Sequence, residues 1–231
     1  MERVDPARRV AVVAGATGLV GSELVRRLLA EPSYRVVALT RRPLALADPK
    51  LVQVAAEFER LSATLATVTA ASTVDVFCCL GTTIGAAGSE AAFRRVDHDF
   101  VLALGRWAAH VRARRMIVIS ALGADAASRV FYNHVKGETE RDLAALGLPS
   151  LVIVRPSLLS GGRAEFRLGE RIALTLATPL RKLIPARVRP IAAADVAQAM
   201  IDAARADRAP GVIESAAMQG AAERRRRAGR D

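Results

Sequence analysis

The chain has 231 residues, of which 52% are apolar and 25% charged, and its formal net charge is +11. This balance predicts a single globular domain with a sizeable core. No run approaches the ~18 uninterrupted apolar residues of a membrane helix. We therefore expect that the protein neither spans nor binds a membrane. The first residues lack the apolar core of a secretory signal peptide, so a cytoplasmic location is expected.

The positive charge is carried almost entirely by arginine, and part of it lies at 224–227 and 230. A basic excess can mark a polyanion partner, but here it is spread along the chain, which favours a solvated basic surface over nucleic-acid binding. Residues 217–231 are predicted to form a disordered tail, because a run of like charges offers little apolar surface to bury. Residues 1–216 are predicted to form the single domain.

Predicted strands and helices alternate along this domain. The first strand, 10–14, is a continuous apolar run, as expected for a parallel strand buried on both faces. Further strands are predicted at 35–40, 51–55, 74–80, 116–120 and 150–154. Helices are predicted at 22–30, 59–71, 89–111 and from the region of 132 to about 146. This order predicts an α/β fold, a doubly wound parallel sheet of the Rossmann type with right-handed crossovers.

The pattern loosens after Pro156. Residues 157–205 are predicted to form a small substrate-side region, partly helical at 166–183, with a short strand at 190–191 and a helix at 195–204. A region this short leaves little room to wrap a large substrate, so a small molecule is expected.

A glycine turn, G-x-x-G-x-x-G, joins the first strand to the first helix. Gly15 allows the tight turn, Gly18 lets the backbone approach a pyrophosphate, and Gly21 permits close packing of helix and strand. The start of the helix offers unpaired N–H groups to the phosphates. The cofactor contacts predicted for this turn are Gly15, Thr17, Gly18, Leu19, Val20 and Gly21.

The end of the second strand predicts which cofactor binds. A site selective for NAD usually has Asp or Glu there, accepting from the ribose hydroxyls, but no acid occurs between 32 and 47. Arg41 and Arg42 stand there instead, and a guanidinium pairs well with a 2′-phosphate. NADP(H) is therefore expected in preference to NAD(H). Glu57 and Phe58, after the third strand, are expected to border the adenine.

Tyr132 and Lys136 are four residues apart and therefore share one face of a helix. An ammonium one turn away favours the phenolate form of the tyrosine, which can exchange a proton with a substrate oxygen near neutral pH. Ser120 lies twelve residues before Tyr132, at the end of a predicted strand, and must approach from that strand. This spacing is typical of a nicotinamide-dependent oxidoreductase.

Further motifs occur at 77–83 (FCCLGTT), 95–100 (RVDHDF), 120–125 (SALGAD), 132–138 (YNHVKGE) and 154–156 (VRP). With these motifs the chain resembles, over residues 9 to about 205, the atypical branch of the short-chain dehydrogenase/reductase family. It is most similar to the small oxidoreductase group typified by the Tat-interacting protein.

The resemblance implies a role for each site residue. Tyr132 is the general acid/base, Lys136 tunes it and holds the nicotinamide ribose, and Ser120 holds the substrate carbonyl. The residues implied to pass beside the cofactor or to border the nicotinamide are Leu80, Gly81, Thr82 and Pro156.

One position departs from the family pattern. Many members have an asparagine, which supports a water relay, where this chain has Asp97, and whether the aspartate does the same is open. Asp97 and Asp99 are expected to cap the helix or to be solvated. His98 and His110 have no metal-ligand partners at useful spacing, so no metal is expected.

Three functions stay open. The first is an NADPH-dependent oxidoreductase acting on a small carbonyl or alcohol. The second is a non-catalytic NADPH-binding protein that signals redox state through a protein partner. The third, least favoured because the C-terminal part is short, is a nucleotide-sugar epimerase or dehydratase. A protein partner and a homo-oligomer are both possible.

Overall fold

The computed structural model describes residues 9–56, 58–60, 64–65, 73–160, 185–207 and 211–229. Its main strands are β1 (Arg9–Ala14), β2 (Tyr34–Thr40), β3 (Leu51–Ala55), β4 (Val74–Cys78), β5 (Arg115–Ile119), β6 (Leu151–Arg155) and, further along the chain, β9 (Val212–Glu214). They form one parallel sheet in the order β3-β2-β1-β4-β5-β6-β9. The predicted doubly wound α/β fold is therefore confirmed. Two short strands, β7 (Leu159–Ser160) and β8 (Ile191–Ala192), pair separately.

The helices alternate with the strands as the sequence predicts. They are α1 (Leu19–Ala30), α2 (Ile84–Ala87), α3 (Glu90–Arg94), α4 (Phe100–His110), α5 (Phe131–Ala144), α6 (Ala193–Arg205) and α7 (Ser215–Ala228). A π-helical turn, Arg95–Asp99, joins α3 to α4 and interrupts the single helix predicted at 89–111. Within the described ranges, no helix is long and apolar enough to cross a membrane. The helix predicted at 59–71 lies mostly outside the described residues, and the one at 166–183 lies wholly outside them.

Core residues lie on both faces of the central strands, and alternate residues of each strand point to opposite faces. Ala11 and Val13 of β1 belong to one core cluster, which also contains residues of α1 and α6. Val10 and Val12 belong to the other, which contains Trp107 of α4. This is why the strand reads as an unbroken apolar run.

The strand order reverses between β1 and β4, since the chain runs outward to β3 and then returns beside β1. Loops leave in opposite directions at such a reversal and open a crevice at the carboxyl ends of the strands, where ligands bind. Gly15, Gly81, Ser120 and Pro156 all follow the carboxyl ends of central strands. The fold therefore brings together segments that are far apart in the sequence.

The prediction of a disordered tail at 217–231 is wrong for the part that the structure describes. That part belongs to α7, whose Met218 and Ala222 lie four residues apart on one face and are buried. Its arginine run is also partnered, since Arg225 donates to Asp202 of α6 at 2.8 Å. The prediction considered the repulsion between like charges and missed both the small apolar face and the carboxylates of a distant helix.

Candidate cofactor and active site

The glycine turn after β1 is packed so closely that two of its glycines leave no room for a side chain. Gly15 has φ of +79°, and a Cβ there would lie 2.4 Å from the carbonyl oxygen of Cys79. A Cβ on Gly21 would lie 2.2 Å from the carbonyl oxygen of Gly15. Both distances are shorter than any ordinary contact, so the turn requires glycine at both positions.

Helix α1 begins directly after this turn. Gly18 is its N-cap and makes no side-chain cap hydrogen bond. The N–H groups of Leu19, Val20 and Gly21 have no partner within the helix by geometry, and the helix dipole adds partial positive charge. A phosphate group is the kind of ligand that fits this end, and the contacts named for this turn stay a prediction. Thr17, in the same turn, is exposed.

The residues that are predicted to contact the adenosine half of the cofactor differ in their exposure. Arg41 and Arg42 directly follow β2 beside the glycine turn, and both are exposed. Phe58 is only 8% exposed, and its ring stacks on Phe100 with centroids 4.8 Å apart. Phe58 therefore packs in the core, and its contact with the adenine stays a prediction. Glu57 lies outside the described residues.

A buried ion pair lies where the loop after β4 meets α5. Lys136 Nζ is 2.7 Å from Asp97 Oδ1, and the two side chains are 6% and 0% exposed. Asp97 Oδ2 accepts a hydrogen bond from the backbone N–H of Thr82 at 2.8 Å. The sequence predicted that Asp97 caps a helix or is solvated, and this prediction is wrong. Asp97 instead joins Lys136 to the loop that is predicted to contact the cofactor.

The electrostatics of Lys136 follow from this pairing. Burial disfavours its charged form and by itself lowers its pKa, but the Asp97 carboxylate outweighs burial, and Tyr132 adds to the effect. The pKa of Lys136 therefore lies above the usual lysine value, and the group is an ammonium at neutral pH.

The π-helical turn places Asp97 beside Lys136. The backbone carbonyl oxygen of Asp97 accepts a hydrogen bond from the Thr139 hydroxyl at 3.1 Å, which ties the turn to α5. Asp99, in the same turn, is exposed as expected. Such turns widen a helix locally and occur frequently at functional sites. Sequence comparison with the family had singled out Asp97, but nothing in the local pattern indicated its burial.

Ser120 contributes a buried hydroxyl that the protein leaves unused. It follows β5, is 7% exposed, and its backbone N–H donates to the carbonyl oxygen of Val154 at 2.8 Å. Its Oγ has no hydrogen-bond partner among the described residues. A buried hydroxyl without a partner costs free energy, so a ligand oxygen is a fitting partner for it.

Tyr132 lies in the first turn of α5 and stays partly exposed. Its ring centroid is 5.5 Å from that of Phe93, a fully buried residue of α3. Phe131 packs on the same ring at 5.8 Å. Phe93, which the sequence had not indicated, therefore holds the start of α5 in place.

Three other residues that are predicted to contact the cofactor are Gly81, Pro156 and Leu80. A Cβ on Gly81 would lie 3.8 Å from Lys136 Nζ, so this loop passes directly over the ammonium. Pro156 is buried after β6 and its carbonyl oxygen accepts from the N–H of Leu122 at 2.9 Å. Leu80 packs against the core on the α4 side.

An ion-pair network outside the site fixes α5 against the sheet. Arg155, at the end of β6, donates to Glu140 of α5 at 2.5 Å and to Glu214 of β9 at 3.1 Å. Its hydrogen bond to Glu140 outweighs partial burial and raises the pKa of Arg155 above the usual value. Glu140 is one turn beyond Lys136, so the network positions the helix that carries the lysine.

The residues of this site fit a pyridine dinucleotide. The N–H groups at the start of α1, the buried Ser120 hydroxyl and the Lys136 ammonium can each meet a ligand oxygen. In the part of the chain that the structure describes, no three His, Cys, Asp or Glu side chains cluster closely enough to hold a metal ion.

Several known proteins are similar to this chain in sequence. The family model described as NAD(P)H-binding matches residues 15–207. The protein named fmp52, mitochondrial, from Emericella nidulans is 33% identical over 175 residues, which cover 73% of this chain and 75% of that one. The FMP52 protein of Candida albicans is 31% identical over 198 residues, covering 84% and 86%.

Solved structures share the fold at low sequence identity. WbmH of Bordetella bronchiseptica, in complex with NAD+, superposes with a TM-score of 0.69 at 16% identity, covering 90% of this chain and 75% of that one. A short-chain dehydrogenase from Streptomyces avermitilis gives a TM-score of 0.65 at 16% identity, covering 98% and 96%.

The relatives also correct one expectation. They are named mitochondrial proteins, which contradicts the cytoplasmic location expected from the sequence. That expectation considered only the apolar core of a secretory signal, whereas mitochondrial targeting segments are amphipathic and rich in arginine.

The family model matches most of the chain, and the two relatives are 33% and 31% identical over 73% and 84% of it. The chain therefore belongs to the NAD(P)H-binding family, within the atypical short-chain dehydrogenases/reductases.

Proposed function

We propose that the protein is an NADPH-dependent oxidoreductase that interconverts a small carbonyl compound and its alcohol. The observation that carries this proposal is the buried Ser120 hydroxyl, which has no hydrogen-bond partner in the described part of the chain and lies on the same edge of the sheet as Tyr132 and the Lys136 ammonium. A hydroxyl donor, a phenol and a cation are the groups that carbonyl reduction needs around one oxygen atom.

Each residue has one task in the proposed reaction. Bound NADPH would supply the hydride for the carbonyl carbon and would leave as NADP+. Tyr132 would donate the proton to the carbonyl oxygen, which gives the alcohol. Ser120 donates a hydrogen bond to that oxygen and orients it. Lys136 stabilises the phenolate that remains on Tyr132, and Asp97 holds the lysine in position.

The catalytic assignment is tested by NADPH oxidation with a panel of aldehydes, ketones and quinones. Tyr132→Phe should lower turnover ~10²–10⁴-fold, the usual cost of losing a positioned general acid, and should keep NADPH affinity within a few-fold. Tyr34→Phe is the matched control, since Tyr34 begins β2 at the opposite edge of the sheet. Its turnover per folded molecule should not change. Turnover near the unmutated rate in Tyr132→Phe would refute the assignment.

The same panel separates the enzyme from the regulator. If no carbonyl compound is turned over while NADPH binds and alters the association of the protein with another protein, the non-catalytic function replaces the proposed one.

A preference for NADPH over NADH is part of the proposal. Arg41 and Arg42 support it, because both are exposed beside the glycine turn and can meet a 2′-phosphate. Titration calorimetry should show at least about tenfold tighter binding of NADPH, or ~1.4 kcal/mol. Arg41→Ala should remove most of the difference, whereas Arg106→Ala, an exposed arginine on α4, should not. Equal affinities of the unmutated protein for NADPH and NADH would refute the predicted preference.

A further inference from the structure

The described residues include five large apolar side chains that are exposed, and four of them lie on segments at the carboxyl edge of the sheet. We call these four the apolar rim. They are Ile84 (39% exposed), Val130 (59%), Leu158 (54%) and Val188 (51%). The fifth, Val212 (44%), lies on the edge strand β9.

Three rim residues lie next to site residues in the chain. Ile84 is two residues after Thr82, whose N–H binds Asp97. Val130 is two residues before Tyr132, and its carbonyl oxygen accepts from the N–H of His134 within α5. Leu158 is two residues after Pro156. These three apolar side chains therefore stand on the same chain segments as the site residues, at the carboxyl edge of the sheet.

The fourth residue, Val188, is held there by hydrogen bonds. Ser157 Oγ donates to the carbonyl oxygen of Arg189 at 2.5 Å, which ties its turn to the end of β6. The buried Gln219 of α7 donates from Nε2 to the carbonyl oxygens of Arg189 at 2.8 Å and Ala186 at 2.9 Å. Val188 is therefore exposed on a backbone that is fixed from two sides.

Exposed apolar side chains that gather beside a site favour the binding of an apolar ligand group there. The chemistry of the rim also disfavours some ligands. The hydroxyl and phosphate groups of a sugar nucleotide need donors and acceptors, which four aliphatic side chains cannot supply. A hydrocarbon chain loses water favourably against such side chains.

We propose that the site takes a carbonyl compound with a hydrocarbon body, such as a medium-chain aldehyde, and that the apolar rim covers this body while Ser120 and Tyr132 meet the carbonyl oxygen. This substrate class rests on the proposed reductase function.

The test compares compounds that differ only in chain length. Butanal, hexanal and octanal are supplied as substrates, and butanamide, hexanamide and octanamide as probes that cannot be reduced. Amide binding to the NADPH complex is followed by NADPH fluorescence, with UDP-glucose as the polar comparator. Affinity should rise about threefold to fourfold per methylene group, kcat/KM of the aldehydes should rise in parallel, and UDP-glucose should bind more weakly than octanamide.

Two variants identify the surface. Leu158→Asp and Val188→Asp should each weaken octanamide binding by about tenfold and butanamide binding by no more than about twofold, because only the longer chain reaches the rim. Val212→Asp makes the same change at the fifth exposed side chain and should leave both affinities unaltered.

The outcomes separate this inference from the function on which it rests. Amide binding that does not depend on chain length overturns the inference, even if the aldehydes are reduced. Binding that rises with chain length, without reduction of any aldehyde, supports the hydrocarbon ligand and refutes the reductase. An equal loss in Val212→Asp and Leu158→Asp would show an unspecific charge effect and would also overturn the inference.

Discussion

Asp97→Asn removes one charge from the buried pair and keeps its shape. The amide oxygen of asparagine can still accept the hydrogen bond that Thr82 N–H donates to Asp97 Oδ2. The Lys136 ammonium, 2.7 Å away and 6% exposed, would then be buried without a counter-charge. The variant therefore isolates the contribution of the carboxylate charge to stability.

The expected loss can be worked out in two ways. Breaking a buried ion pair by removing one partner typically costs about 3–5 kcal/mol. The loss also has a ceiling, because Lys136 can release its proton and stay buried as a neutral amine. At pH 7 this release costs about 4.6 kcal/mol for a lysine with an ordinary pKa of ~10.4. A loss of about 3–4.6 kcal/mol in the free energy of unfolding is thus expected.

The assay is denaturant unfolding of both proteins without cofactor, between pH 7 and 10. In the unmutated protein the raised pKa of Lys136 keeps its contribution complete below the unfolded value of ~10.4 and removes it only above. In the variant, burial alone lowers the pKa of the folded lysine, so the variant gains stability as the pH rises. The difference between the two proteins should therefore shrink towards pH 10.

Asp99→Asn is the control for this prediction, because Asp99 lies in the same π-helical turn with its side chain 58% exposed. It should change stability by less than about 1 kcal/mol. A loss below about 1 kcal/mol for Asp97→Asn at pH 7, or a difference that widens with pH, would refute the ion-pair reasoning.

Three further changes test the elements that support the site. Met218→Ala removes a side chain that is 1% exposed and should cost about 2–5 kcal/mol in chemical denaturation; no loss would mean that α7 does not pack on the domain. Gly21→Ala forces a Cβ to 2.2 Å from the carbonyl oxygen of Gly15 and should weaken NADPH binding by at least about tenfold in calorimetry, and unchanged affinity would contradict the tight turn. Arg155→Met leaves the nearly buried Glu140 without its partner and should lower the unfolding free energy by about 2 kcal/mol; a neutral result would show that the network does not hold α5.

The sequence by itself determined the features that depend on local spacing. Apolar runs and helical stripes predicted the order of strands and helices, since periodicity follows directly from backbone geometry. The glycines of the first turn could be assigned because that turn has few possible shapes. Tyr132 and Lys136 could be paired because residues four apart meet on any helix. The contacts of Arg41 and Arg42 with a 2′-phosphate stay a prediction.

Only the tertiary structure decided which side chains lose their water and which meet across the chain. The Asp97–Lys136 pair, the unpartnered Ser120 hydroxyl and the docking of Met218 depend on elements that are far apart in the sequence. Local patterns carry no information on such contacts. From the sequence alone, the Asp97 carboxylate is expected to be solvated, because only the packing of the chain places it beside the Lys136 ammonium. The arginine-rich end is likewise expected to be disordered, because only the fold brings it against the apolar residues and carboxylates of a distant helix.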